Sequence, residues 1–278
     1  MRINHNISAL NAYRQLTVNN NASSKNLERL SSGLRINRGG DDAAGLSISE
    51  KMRAQIKGLD TAAKNCQDGI SLIQTAEGAL TETHSILQRM RELAMQASND
   101  IYTADDRTSL QTETDALIAE LDRIGGTTQF NGINILDGSL AAGGTPVVLQ
   151  AGPNGLVAEQ ITVAIEDMTG SGAELAVGGV LVDSVANAQT GIASIDLAIQ
   201  NVSTQRSDLG AIQNRLEHTV SSLSVSSENL TAAESRIRDV DMAKEMVEFT
   251  KNSILMQSAQ AMLAQANTMP QNVLQLLR

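Results

Sequence analysis

The chain has 278 residues, with 21 Lys and Arg against 31 Asp and Glu, a formal net charge of −10. That balance excludes the basic footprint of a general nucleic-acid binder, and the length allows one or two domains. Two Tyr, two Phe and no Trp leave too few large rings to fill a globular core, so the abundant Ala, Gln, Ser, Leu and Met favour long helices packed side by side. The charge is uneven. Residues 1–40 carry six Lys or Arg against Glu28 alone, a local +5, so the remainder sums to −15.

In chain order, Ile3, Ile7, Leu10, Leu16, Leu27, Leu30 and Leu34 predict a weakly amphipathic helix over residues 3–34. Its centre, Asn19-Asn20-Asn21-Ala22-Ser23-Ser24, is poor in helix propensity, so the segment needs a partner. Gly39-Gly40 breaks the pattern, and Asp41 and Asp42 are N-cap candidates for a second helix of about residues 43–98. Met52, Ile56, Leu59, Ala63, Cys66, Ile70 and Ile73 form a coiled-coil seam. A one-residue slip continues it as Ala76, Leu80, Leu87, Met90 and Ala94. A shorter helix, roughly 104–124, stops at Gly125-Gly126.

Between Gly138 and Gly191 lie ten of the 21 glycines and two of the three prolines. Gly132–Leu136, Pro146–Gln150 and Ile161–Ile165 read as short strands, with Asp137-Gly138 and Asn154-Gly155 as turns. Helix returns near Ala186, and residues 211–269 hold no glycine or proline, room for roughly 90 Å of helix if unbroken. Leu209, Ile212, Leu216, Thr219, Leu223, Ser226, Leu230, Ala233, Ile237 and Val240 keep the three-four spacing and mate with the 52–94 seam. After Lys251 no charge appears until Arg278. Uncharged amphipathic ends predict surfaces buried against other chains.

Catalytic and metal chemistry find no foothold. His5, His84 and His218 are scattered without metal-ligand spacing, and Gly39-Gly40-Asp41-Asp42 lacks the Gly-Lys-Ser/Thr of a phosphate loop. Cys66, the single cysteine, sits in the seam as a small buried hydrophobe. No catalytic residue, cofactor or metal is expected. The start, Met1-Arg2-Ile3-Asn4-His5-Asn6, has no apolar h-region. No run approaches the roughly 18–20 apolar residues of a membrane span, so membrane insertion is not expected and these features alone read as cytoplasmic.

Several long motifs occur in fixed order: Ile3–Asn6, Leu30–Leu59, Ile86–Ala94, Thr128–Gly132, Gln205–Leu216, Asn229–Asp241 and Met269–Leu274. Through them the chain resembles bacterial flagellin over nearly its whole length, in a short form lacking variable outer domains. The resemblance implies a mainly α fold, a long antiparallel helical rod with a small β-hairpin region and paired N- and C-terminal helices. Residues 1–40 with 241–278 would form an inner terminal-helix domain, and 41–240 an outer rod with a β-region at about 128–185. It implies a structural subunit, not an enzyme, that polymerises into a secreted, extracellular filament for swimming. A periplasmic filament of the spirochaete kind and a hook–filament junction protein are the alternatives. Partners implied are further copies of the chain, a flagellar type III export apparatus with a chaperone, and filament cap and junction proteins. A Toll-like innate immune receptor would contact Gln88, Arg89, Glu92, Leu93 and Glu113, with Leu93 exposed beside Arg89. Assembly would use Ile3, Ile7, Leu10, Leu27, Leu30, Leu34, Ile254, Leu255, Met262, Val273 and Leu274.

Overall fold

The computed structural model describes residues 6–276, the last seven by their backbone alone. The chain is mainly helical. Five helices, α1 (Ile7–Ser32), α2 (Ala43–Ala97), α3 (Ala104–Thr127), α4 (Val185–Arg238) and α5 (Met242–Leu276), accompany four short strands. The strands are β1 (Gln129–Phe130), β2 (Ile133–Asn134), β3 (Val147–Gln150) and β4 (Gln160–Val163), paired as two antiparallel ladders, β1 with β2 and β3 with β4. The long helices pair as α1 with α5 and α2 with α4. Two compact units result, residues 1–55 with 228–278 and residues 56–227, and both α2 and α4 contribute to each.

In the first unit, Asn6 opens α1 by accepting from the Ala9 N–H at 3.1 Å, and Gly33 closes it in the left-handed region at φ +70. The helix therefore ends before Leu34, which the sequence had placed within it. Leu34 instead bridges to Asp239. Arg35 N–H donates to Arg238 O at 2.7 Å, and Val240 N–H donates to Gly33 O at 3.0 Å. The same bonds break the glycine- and proline-free run of 211–269, which had room for one unbroken helix. The chain leaves helix at Asp239–Asp241 because its backbone groups pair with residues 33–35, and the Asp241 carboxylate restarts it by accepting from the N–H groups of Ala243 and Lys244. Asp42 caps α2 through Gly45 N–H at 2.9 Å.

In the second unit, α2 and α4 run antiparallel, tied by Arg91–Asp196 (2.6 Å), Glu77–Arg206 (3.6 Å) and Asp60–Ser227 (2.9 Å). Leu59, Cys66, Ile73, Ala76, Leu80, Leu87, Met90 and Ala94 are buried, and Leu209, Leu216 and Leu223 answer them from α4. But α2 also buries Ala62, Gly69, Leu72, Thr83, Leu93 and Ala97, more than a two-helix seam can cover. The β3–β4 hairpin supplies one further cover. Asn65 donates to Gln150 O at 3.2 Å, and a Cβ on Gly58 would lie 2.9 Å from Pro153 Cβ. A Cβ on Gly69, three turns away on the same face, would overlap the Leu149 side chain. Helix α3 supplies the other. A reciprocal capping box between Thr103 and Asp106 starts it, and Arg107 clasps the end of α2 through Ala97 O and Asn99 O, each at 3.1 Å. It runs through Gly125-Gly126 to Thr127, past the expected stop, because Gly125 packs against Thr169 where a side chain would collide. The β1–β2 turn is Asn131-Gly132, both at positive φ (+51 and +78), the chemistry of a tight hairpin.

Candidate functional site: the terminal-helix pair and the Arg89 face

Small and polar residues alternate with a few large apolar ones along the contact between α1 and α5. On α1 the covered positions are Ala9, Ala12, Leu16, Asn19, Ser23, Asn26 and Leu30, spaced three and four apart. On α5 they are Glu245, Phe249, Asn252, Met256, Ala259, Leu263 and Ala266, with the same spacing. Asn6 Nδ2 donates to Ala266 O at 2.7 Å. Near the other end Asn26 is buried, and its surroundings assign the amide orientation that donates to Ala22 O (3.0 Å) and Glu245 Oε1 (3.2 Å) and accepts from Asn252 Nδ2 (3.1 Å) and Phe249 N–H (3.2 Å). Arg29 Nη1 lies 3.7 Å from Glu245 Oε1. Buried polar groups must be paired, so this cluster specifies how the two helices register. The sequence signal was the Asn- and Ser-rich stretch itself, read as mere weakness.

Other large apolar side chains lie off this contact. Ile7, Leu10 and Leu27 on α1, and Ile254, Leu255 and Met262 on α5, are between 42% and 64% exposed. Tyr13, Val18, Met242, Met246, Val247 and Met269 join them. Of the other residues expected in assembly, Leu30 and Leu34 are half-buried. Ile3 lies outside the described residues, and Val273 and Leu274 belong to the part of α5 described by backbone alone.

The loop between α1 and α2 is held by Asp41. Its carboxylate meets Lys25 Nζ at 2.7 Å and accepts from the N–H groups of Asn37 and Arg38 at 3.3 and 3.2 Å. The Lys25 hydrogen bond first, then the two backbone donors, pull its pKa from 3.8 down to about 2. Glu28 accepts from Asn37 and Arg38 side chains at 2.7 and 2.9 Å.

On α2, Gln88, Arg89 and Glu92 are exposed, and Glu113 is exposed on α3. Arg89 forks onto Glu113 Oε1 at 2.8 and 2.9 Å and reaches Glu92 at 3.2 Å. The Glu113 hydrogen bond, then that to Glu92, raises the Arg89 pKa. Gln88 contacts His84 at 3.0 Å. Leu93 is a correction to the expected exposed anchor. It is 1% exposed, on the stretch of α2 that α3 adjoins through Arg89–Glu113 and Arg107–Ala97. A shallow groove of about 430 Å³ adjoins, lined by Gln88, Arg91, Glu92, Met95, Asp196 and Ile199. Cys66 is fully buried, and that burial raises its thiol pKa. Among the described residues no group of three or more His, Cys, Asp or Glu could hold a metal ion, and no helix is long and apolar enough to cross a membrane.

Residues 3–141 match the bacterial flagellin N-terminal helical region, and residues 192–277 match the bacterial flagellin C-terminal helical region. The chain is 58% identical to a flagellin of Bacillus subtilis (strain 168), with 100% of both chains covered. It is 51% identical to flagellin FlaB2 of Treponema pallidum (strain Nichols), again over 100% of both. Among solved structures, Bacillus cereus flagellin superposes with a TM-score of 0.50 at 34% identity, covering 62% of this chain and 94% of that one. The chain belongs to the bacterial flagellin family. It is a flagellar filament subunit, a structural protein rather than an enzyme, and it works by polymerising.

Proposed function

We propose that residues 1–40 and 241–278 form the inner, filament-core part of the subunit and residues 41–240 the outer part. Polymerisation then covers the apolar faces that α1 and α5 leave open. One observation carries this reading. Outside the covered positions of the terminal pair, Ile7, Leu10, Leu27, Ile254, Leu255 and Met262 stand exposed. Exposed apolar area of that kind belongs to an interface. Limited proteolysis of monomer should trim the two ends, while polymer resists. Equal resistance in the monomer would sink the reading, as would filament formation by a chain lacking either end.

The filament is extracellular in this reading. Subunits leave the cell unfolded through a flagellar export apparatus, with a chaperone on the C-terminal helix, and add beneath a cap above junction proteins. A periplasmic filament of the spirochaete kind is the second reading, favoured by the full-length match to a Treponema flagellin. Shearing intact cells separates them, since only an external filament is released. Gln88, Arg89, Glu92 and Glu113 form a charged, exposed face that an innate immune receptor of the Toll-like kind grips in the monomer. Leu93 contributes by packing beneath it. A receptor reporter assay on monomer, Arg89→Ala and Glu113→Ala tests this, and equal signalling by all three would refute it.

A further inference from the structure

We propose that Met242, Met246, Met262 and Met269 on α5 are a modification site, at which peroxide oxidation of the thioethers switches off polymerisation of the free subunit. The inference rests on the reading that the faces of the terminal helices are covered in the filament.

Five of the chain's ten methionines lie on α5, at 242, 246, 256, 262 and 269. Met256 belongs to the contact with α1 and is half-buried. The other four are 48%, 49%, 64% and 45% exposed, so a small oxidant reaches their sulfur atoms without unfolding the helix. In the other unit Met90 and Met168 are 0% and 2% exposed, and Met95, on α2 and away from the terminal helices, is 53% exposed. Leu255, Met262 and Met269 are spaced by seven and so share a helix face, beside Ile254 and Val247. That face carries Lys244, Glu248 and Lys251 in its first turns and is apolar and uncharged from Ile254 to Met269. Met242 and Met246, four apart, share a second face in the first turns. Flexibility explains why methionine suits a surface that must repack. It does not alter the chemistry of the sulfur, which the neighbouring Leu, Ile and Val lack.

The step balances simply. A thioether and hydrogen peroxide give a sulfoxide and water. One S=O bond forms, the peroxide O–O bond breaks, and sulfur loses the two electrons that the peroxide gains. The product is polar and chiral in place of a flexible apolar side chain, and it is reversible by sulfoxide reductases. A sulfoxide on a face about to be buried needs a hydrogen-bond donor there or remains unsatisfied. Once the polymer has formed, the same sulfurs are covered, so the vulnerability belongs to the unassembled chain.

The test treats monomer and preformed filament with hydrogen peroxide, maps sulfoxides by peptide mass spectrometry, and measures seeded polymerisation by sedimentation. In monomer each of the four sites should gain one oxygen, about 16 Da, with Met90 and Met168 unmodified and most of the polymerisable fraction lost. In filament the four should be protected. Sulfoxide reductase treatment of oxidised monomer should restore polymerisation, and a variant with Met→Leu at all four sites should polymerise equally with or without peroxide. Normal polymerisation of monomer oxidised at all four sites would overturn the proposal. So would loss that reductase does not reverse, or loss in the Leu variant as steep as in the natural chain. Failure of untreated natural monomer to polymerise would instead overturn the assembly reading, and this proposal with it.

Discussion

Leu93→Ala and Arg89→Ala lie four residues apart on α2 and should behave as different kinds of perturbation. Leu93 is 1% exposed, so truncating it removes buried carbons and leaves a cavity beneath α3. The cost for a buried Leu→Ala is about 2–5 kcal/mol. In a cooperative unit of the size of residues 56–227, that moves the unfolding midpoint down by roughly 4–20 °C. Arg89 is half-exposed, with exposed partners Glu92 and Glu113. Pairs of that kind are screened by solvent and contribute little to stability, so Arg89→Ala should melt close to the natural chain. Thermal unfolding followed by circular dichroism reads both. A Leu93→Ala midpoint indistinguishable from the natural one would refute the burial argument. The difference matters for recognition, because lost receptor signalling in Leu93→Ala reports a loosened helix pair, whereas the same loss in Arg89→Ala reports the surface.

Cys66 should react with a maleimide far more slowly in native monomer than in denaturant, since burial both covers the thiol and raises its pKa. Cys66→Ala should still polymerise, at a stability loss on the order of 1 kcal/mol. Asn26→Ala removes the amide that pairs Glu245 and Asn252 across the terminal helices, a loss of about 1–3 kcal/mol for the groups left unsatisfied. Protease should then trim the ends faster while residues 56–227 keep their melting behaviour. Asp41 has a folded pKa of about 2 against an ordinary 3.8, so its stabilisation is present above 3.8 and is lost as pH falls through 2. Asp41→Asn should therefore be less stable than the natural chain at neutral pH, with the two converging near pH 2. A constant gap across that range would contradict the Lys25 and backbone contacts.

Much of this architecture was legible because long three-four spacings leave little choice. Ala43–Ala97 emerged within a residue of its expected bounds, slip near Ala76 included, and the named seam positions from Leu209 to Val240 are all at least half-buried. What pattern reading missed were contacts made at long sequence separation. The break at Asp239–Asp241 carries no glycine or proline, and it is made by hydrogen bonds to residues some 200 positions earlier. Leu93 looked exposed because it lies off the predicted α2 seam, yet it is buried on the stretch of α2 that α3 adjoins. Gly58 and Gly69 carry no pattern signal of their own, and only the fold shows Pro153 and Leu149 occupying the space a side chain would need.

The terminal helices reverse the ordinary inference from an apolar stripe to a pairing face. Ile7, Leu10 and Leu27, expected to meet other chains, stay off the helix pair, which closes on Ala9, Ala12, Leu16, Asn19, Ser23, Asn26 and Leu30. Small residues let two backbones approach, and a buried amide fixes their register, while the apolar share of the contact is limited to Leu16, Leu30, Phe249, Met256 and Leu263, each only half-buried. Such a pair is specific and weak at once. The apolar residues then remain available for other copies of the chain, so the stability that the pair lacks alone is gained on assembly, as mass action requires of a binding-linked fold. Subunits that keep their adhesive faces on a marginal element can be long-lived as monomers without gluing together at random, because each contact requires the element to be ordered first. That logic predicts a definite trade. Replacing Asn26 and Ser23 by Leu should stabilise the helix pair in free monomer, yet weaken its single register and so lower the fraction of chains that add to a filament. Monomer proteolysis and seeded sedimentation on one preparation would measure both sides, and a variant more resistant as monomer that polymerises faster would refute the argument.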